Sequence, residues 1–202
     1  MINKRKVIAV VAVLILVFAV SIGYAYLSAT FTINGSSKIS GETWDLHFEN
    51  YSQTANSTIT PAAGKTPDTS GNNKTAISYE VEFEQPGDVY EFTIDVRNGG
   101  SVDAMIESFQ TKIKIDDGEE QVLTNSNLPT YMSHSITYSD GVALANNQKI
   151  ESEHSETLLV RVEFKKNISN EEFTAAKGRT IKFTFDLDCI QADGNAVAIN
   201  HV

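Results

Sequence analysis

A period-two alternation of apolar and polar residues is the feature that most limits the fold of this chain. Successive side chains of a β-strand point to opposite faces, so the alternation predicts strands with one buried face. The alternating apolar sets, in chain order, are Trp44, Leu46 and Phe48; Ile77, Tyr79, Val81 and Phe83; Tyr90, Phe92, Ile94 and Val96; Leu158, Val160, Val162 and Phe164; and Ile181, Phe183, Phe185 and Leu187.

Turn and bulge signals separate these strands. Gln85-Pro86-Gly87-Asp88 predicts a type II turn, which needs a positive φ at its glycine. Asp116-Asp117-Gly118-Glu119 predicts a hairpin turn. Between Ala104 and Ile115 the parity of the apolar residues slips after Ile106, which indicates a β-bulge.

Only one segment carries helix signals. Ser169-Asn170-Glu171-Glu172 forms a capping box, and Gly178 provides the stop. Ile136 to Tyr138 is a weaker strand. About seven or eight strands and one short helix predict an all-β fold, an Ig-like or jelly-roll β-sandwich, preceded by an N-terminal hydrophobic helix. A parallel βαβ order is excluded, because only one linker has room for a helix.

Composition suggests the domain boundaries. We expect the sandwich at residues 35–190 and a C-terminal tail at residues 191–202. Residues 52–75 are rich in Ser, Thr, Asn, Pro and Gly, which predicts a long exposed loop.

The N-terminus has the pattern of an export signal. Lys4, Arg5 and Lys6 precede an uncharged run from Val7 to Ile22, and Gly23-Tyr24-Ala25 follows. A basic head, an apolar stretch and a small-x-small site are typical of a secretory signal peptide. The predicted cut lies between Ala25 and Tyr26, which makes residues 1–25 the signal peptide.

The same segment also fits a membrane anchor. Extended through Leu27, the uncharged run reaches the roughly 20 residues that a membrane-spanning helix needs. In either case the basic residues stay in the cytoplasm, so the rest of the chain is predicted at the cell surface or outside the cell.

Charge and cysteine content limit the partners. The chain has 26 acidic and 16 basic residues, a net charge of −10, which disfavours nucleic acid and anionic lipid headgroups. Cys189 is the only cysteine, so no intramolecular disulfide forms. It shares the parity of the apolar residues of the last strand and is expected to face inward.

The sequence predicts no enzyme, and no catalytic, cofactor-binding or metal-binding residues. The four histidines are scattered, without a His-Glu-x-x-His run, and neither Gly-x-Ser-x-Gly nor a Gly-rich phosphate loop occurs. Asp116, Asp117 and Glu119, and the pair His154 and Glu156, have metal-compatible chemistry, but a plain turn and a solvated loop explain them better.

Several short segments, taken in order, resemble the TasA/camelysin family of Gram-positive surface and biofilm-matrix proteins. They are Gly23-Tyr24-Ala25-Tyr26-Leu27-Ser28; Ser40-Gly41-Glu42-Thr43-Trp44-Asp45-Leu46; Pro86-Gly87-Asp88 with Phe92, Val96, Asn98, Gly100, Ser101 and Ala104; Val162-Glu163-Phe164-Lys165; and Ile181-Lys182-Phe183-Thr184-Phe185. The chain departs from the family in being shorter between Asp116 and Thr157, and in its polar 52–75 insert.

The resemblance implies a self-assembling fibre subunit released by a dedicated signal peptidase. Residues 26–34 would then form an N-terminal strand donated to the next copy, with Leu27, Ala29, Phe31 and Ile33 on its apolar face. The alternative for this strand is pairing within its own domain. The alternative for the protein is a membrane-tethered domain that binds a partner or carbohydrate. A camelysin-like metalloprotease is disfavoured by the missing zinc motif.

Overall fold

The computed structural model describes residues 43–61, 64–69 and 75–201. The predicted N-terminal helix, the cut between Ala25 and Tyr26, and the donor residues Leu27, Ala29, Phe31 and Ile33 lie outside these residues. Within the described ranges, no helix is both long and apolar enough to span a bilayer.

The described residues form nine strands and one helix. In chain order they are β1 (Leu46–Gln53), β2 (Ala76–Glu82), β3 (Val89–Asn98), β4 (Ala104–Ile115), β5 (Gln121–Val122), β6 (Met132–Tyr138), β7 (Lys149–Ile150), β8 (His154–Phe164), α1 (Asn170–Ala176) and β9 (Thr180–Gln191).

The strands form two antiparallel sheets. Sheet A has the order β1-β3-β8-β6, and sheet B has the order β2-β9-β4, with the two-residue strands β5 and β7 both beside β4. The consecutive strands β1 to β4 alternate between the sheets, so the chain crosses the core at each connection. The expectation of an all-β sandwich with one short helix is confirmed.

The core lies between the two sheets, where the predicted inward-facing residues meet. Phe48 of sheet A packs on Phe185 of sheet B with ring centroids 6.0 Å apart. Tyr79 of sheet B contacts Phe92 of sheet A edge-on at 5.0 Å. These side chains are at most 1% exposed, and burying one of this size contributes about 1.5–3 kcal/mol. The period-two pattern therefore identified the buried faces of β1, β2, β3, β8 and β9.

The predicted turn, bulge and capping box are also present in the structure. Gly87 has φ 97°, and the Asp88 carboxylate accepts the backbone N–H groups of Glu84 and Gln85, which closes the turn between β2 and β3. The register of β4 against β9 shifts between Ile106 and Ser108, as a bulge requires. Ser169 and Glu172 make both bonds of the capping box at α1.

Trp44, β6 and the 52–75 loop differ from the sequence-based expectation. Trp44 lies before β1 and is 40% exposed. β6 begins at Met132, four residues before the predicted start at Ile136. The predicted 52–75 loop begins inside β1, and its backbone continues along β3, where Thr54 and Thr58 donate N–H groups to the Glu91 and Val89 carbonyls.

Candidate functional site

A strand edge without a partner is the site that a donated strand needs, because its unpaired N–H and C=O groups are a template for pairing. Sheet A ends in β1 and β6, and sheet B ends in β2 and, where the short strands β5 and β7 do not cover it, in β4. The described residues of these four edges differ in charge, in regularity and in what covers them.

The β1 edge is protected. Asp45, His47 and Glu49 alternate along it, and the register shifts between Glu49 and Ser52. Asn50, within that irregularity, has φ 55°. Charges and a bulge are two devices that keep an edge strand from pairing with another chain.

The β2 edge is partly occupied. The Glu80 N–H donates to the Lys65 carbonyl, and the two side chains form an ion pair. Beside it lies a cavity of about 400 Å³, lined mainly by Thr58, Ile59, Lys65, Glu80 and Glu82. Its lining is mixed in polarity and holds no catalytic constellation.

The β6 edge has neither device. From Met132 to Tyr138 it contains no Asp, Glu, Lys, Arg or Pro, and it pairs with β8 in continuous register. The Lys165 N–H donates to the Tyr131 carbonyl, so in an antiparallel pair the backbone groups of His134, three residues on, face away from β8. Among the described residues, none bonds to the His134 backbone.

The β4 edge is open along its middle. β7 pairs with Ala104 and Met105, and β5 pairs with Lys112 and Ile113. On the side away from β9, no strand of the described chain pairs with Glu107 to Gln110.

The chain itself frames the space between the β4 and β6 edges. After β5, residues 123–131 cross from sheet B to β6, starting where the Leu123 N–H donates to the Thr111 carbonyl. After β6, residues 139–148 cross back, ending where the Ile106 N–H donates to the Gln148 carbonyl. We call the area enclosed by these two crossings, β6 and the middle of β4 the side opening.

Phe109 lies on the inward face of β4, in the part of the strand that borders the side opening. Directly opposed residues of an antiparallel pair share a face, and Phe109 is opposite the inward-facing Leu187. Leu187 is 1% exposed, whereas Phe109 is 39% exposed. Four apolar residues around the opening are also only partly buried against the core: Leu123, Leu128, Ile136 and Val142.

His134 lies under the β6 edge with its ring in the core. The ring stacks on Phe183 at 4.7 Å, and Nε2 is 2.7 Å from the Tyr79 hydroxyl. Burial lowers the pKa of His134 to about 4, so the ring is neutral near pH 7. The β6 edge therefore carries no charge on any of its side chains.

Two of the metal-compatible residues noted in the sequence, Asp116 and Glu156, make other contacts. Asp116 accepts hydrogen bonds from Arg179 and from the Thr180 N–H, and Glu156 pairs with His201. The described chain holds no cluster of three or more His, Cys, Asp or Glu side chains placed to bind a metal ion. Cys189 is partly buried against the core, and burial raises the pKa of its thiol to about 12.

Sequence reasoning missed the first half of β6 and the exposure of Phe109. The period-two series Met132, His134, Ile136 and Tyr138 was present, but histidine is a weak signal for an inward position. No protein-family model, curated protein or solved structure matches this chain.

Proposed function

We propose that this chain is an exported structural protein of the cell surface or extracellular matrix that assembles head to tail into fibres. Residues 26–33 of one copy add a strand to β6 of the next, and their apolar side chains cover its side opening. The single observation that carries the proposal is Phe109, an apolar residue on the inward face of β4 that is 39% exposed. The N-terminal hydrophobic helix and an Ig-like or jelly-roll type of sandwich belong to the same proposal.

Charge supports this pairing over the other edges. Tyr26 to Ile33 contains no charged residue, and neither does β6. The chain that starts at Tyr26 keeps 13 basic and all 26 acidic residues, a net charge of −13, so copies repel each other and contact is favoured where both surfaces lack charge. The β1 and β2 edges present acidic side chains instead.

Length and side-chain pattern support it as well. The eight residues 26–33 are more than enough to cover the part of the seven-residue strand β6 that is open on its outer side, because Thr137 already pairs with Ala143 and the Tyr138 N–H donates to the Val142 carbonyl. Leu27, Ala29, Phe31 and Ile33 share one face, so a single register places all four against the opening. The contact joins two different surfaces and does not close on itself, so it generates filaments.

The first experiment compares the chain starting at Tyr26 with the same chain lacking residues 26–34. Electron microscopy and light scattering measure the assembly of each. We expect fibres from the first chain and monomers from the second. Equal polymerisation of both would overturn strand donation.

Mixing the two chains separates donation to a neighbour from pairing within one domain. The shortened chain keeps its side opening but has no strand to give. We expect it to bind growing fibre ends and to shorten the fibres in proportion to its share. If the segment pairs within its own domain, fibre length will not depend on the shortened chain.

Phe109→Ala and Ile190→Ala form a matched pair at the acceptor. Both residues are 39% exposed in sheet B, but Ile190 pairs with Met105 on the outer face. We expect Phe109→Ala to raise the critical concentration for assembly about tenfold, which corresponds to about 1.4 kcal/mol. Ile190→Ala should leave it unchanged, and an equal effect of both would argue against the side opening.

The uncharged run from Val7 to Leu27 favours a second candidate, a membrane-tethered surface domain that keeps its N-terminal helix. Mass spectrometry of the native N-terminus distinguishes the two. A chain that starts at Tyr26 supports the fibre subunit, and a chain that starts at Met1 supports the tether.

A further inference from the structure

The segment after β9 returns to the domain. The Ala192 N–H donates to the Asp103 carbonyl at 2.9 Å. Farther on, the Val197 N–H donates to the Asn147 carbonyl at 2.7 Å, and the Lys149 N–H donates to the Val197 carbonyl at 2.8 Å. Residues 192–201, here called the strap, therefore lie along β7 and the end of the 139–148 crossing. The sequence predicted only a tail.

His201 fastens the far end of the strap. Its Nδ1 is 2.7 Å from an Asp140 carboxylate oxygen, and its Nε2 is 3.1 Å from a Glu156 carboxylate oxygen. The ring also meets Tyr138 edge-on, with centroids 5.7 Å apart. These contacts come from three different places: Tyr138 ends β6, Asp140 follows it in the turn, and Glu156 lies on β8.

The protonation state of His201 decides how many of these contacts it can make. An imidazolium donates from both nitrogens, whereas a neutral imidazole has one donor and one acceptor nitrogen. A carboxylate accepts but does not donate. Loss of the proton therefore leaves one ring nitrogen with its lone pair facing a carboxylate.

We propose that His201 is a pH-sensitive latch, which holds the strap on the 139–148 crossing when protonated and loosens it when neutral. The three groups that face the ring decide which protonation state is favoured. Asp140 and Glu156 favour the imidazolium cation, and the neutral Tyr138 does not oppose it.

The pH range follows from linkage. The hydrogen bond with Asp140, and then the charges of Glu156 and Asp140, raise the pKa of His201 above its usual 6.5. A raised pKa means that the native state holds the proton more tightly than the unfolded state. The latch is fully engaged below about pH 6.5, and its contribution is lost as the pH rises through the higher pKa of the folded protein.

Hydrogen exchange of the Val197 and Lys149 amides in the full chain tests the latch. Protection factors, corrected for the intrinsic pH dependence of exchange, are compared between pH 6 and pH 9. Exposed ion pairs contribute up to about 1 kcal/mol, so we expect protection to fall up to about fivefold at the higher pH. The Ile94 amide, in the core strand β3, serves as the internal reference.

His201→Gln and Glu156→Gln complete the test. In His201→Gln both amides should show the lower protection at every pH. In Glu156→Gln the fall should shift to lower pH, because one of the two carboxylates that favour the cation is gone. A wild-type protein whose protection does not change between pH 6 and pH 9, or a His201→Gln variant that keeps the wild-type change, would overturn the latch. The readout is the same in a monomer and in a fibre, so this result and the outcome of the assembly experiments are separable.

Discussion

The two edges of sheet A, β1 and β6, are built in opposite ways. β1 carries a register shift, a residue with positive φ and acidic side chains. β6 is regular and uncharged, and lies beside an incompletely covered core. Both strands lie at a sheet edge, so an edge position alone does not distinguish a strand that can accept another chain. An edge strand is able to accept another strand when charges and bulges are missing from it and apolar surface lies next to it.

The largest effect we expect concerns His134 under the β6 edge. Its folded pKa of about 4 lies below the usual 6.5, so the unfolded state binds the proton first. Stability is lost as the pH falls from about 6.5 to about 4, by about 3 kcal/mol in total. Denaturant unfolding at several pH values measures this, with His134→Gln as the comparison. An unchanged pH dependence in the variant would mean that other groups cause the loss.

The next effect concerns Glu91 on β3. Its carboxylate accepts hydrogen bonds from Thr54 and Asn56, which follow β1 in the chain, and so holds that segment on sheet A. The Glu91 side chain is 5% exposed. Burial alone would raise its pKa, but hydrogen bonds from Thr54, Arg161 and Asn56 hold that pKa below its usual range. Glu91→Gln should lower the free energy of unfolding by about 2 kcal/mol, because a buried charged hydrogen bond is lost.

Glu163→Gln is the matched control for Glu91→Gln. Glu163 accepts a hydrogen bond from the same Arg161, but its side chain is 27% exposed. Loss of the charge on Glu163 should lower the free energy of unfolding by less than about 1 kcal/mol. Equal costs in urea unfolding would show that burial of Glu91 is not what fastens this region.

A smaller effect tests the two edges directly. Ser135 on β6 and Ser52 on β1 are both exposed serines, so Ser→Lys makes the same change on each edge. Ser135→Lys should raise the critical concentration for fibre assembly about tenfold, since a lysine blocks strand addition. Ser52→Lys should leave assembly as it is. The reverse result would place the acceptor at β1.

The smallest effect concerns the irregularity in β1. Asn50 has φ 55°, a conformation that costs most residues about 1–2 kcal/mol. Asn50→Ala should therefore lower stability by about 1 kcal/mol, whereas Ser135→Ala in regular β6 should change it by less than about 0.5 kcal/mol. Thermal unfolding of both variants measures the difference. A neutral Asn50→Ala would indicate that the bulge is not strained.

Much of the fold could be predicted because it depends on local rules. The buried faces of β2, β3, β8 and β9 follow from alternation, which the geometry of a strand imposes on every residue. The turn at Gly87, the bulge after Ile106 and the cap at Ser169 each depend on a few neighbouring residues.

The side opening could not be predicted because it depends on which strands become neighbours. Glu107 to Gln110 are open only because β5 and β7 both pair with β4 and are too short to meet. Nothing in the four residues themselves records this. The latch could not be predicted for the same reason, since His201 and Asp140 are 61 residues apart in the chain and meet only in the fold.

The position of β9 has a consequence for how the domain forms. It is the central strand of sheet B and pairs with β2 and β4, so Ala76 meets Asp186. Pairings between such distant residues make folding slow. A chain that emerges N-terminus first, from a ribosome or through a membrane, holds two strands of sheet B without their shared neighbour until residues 180–191 arrive. Sheet B, and with it the closed sandwich, therefore cannot be completed before the last strand is available.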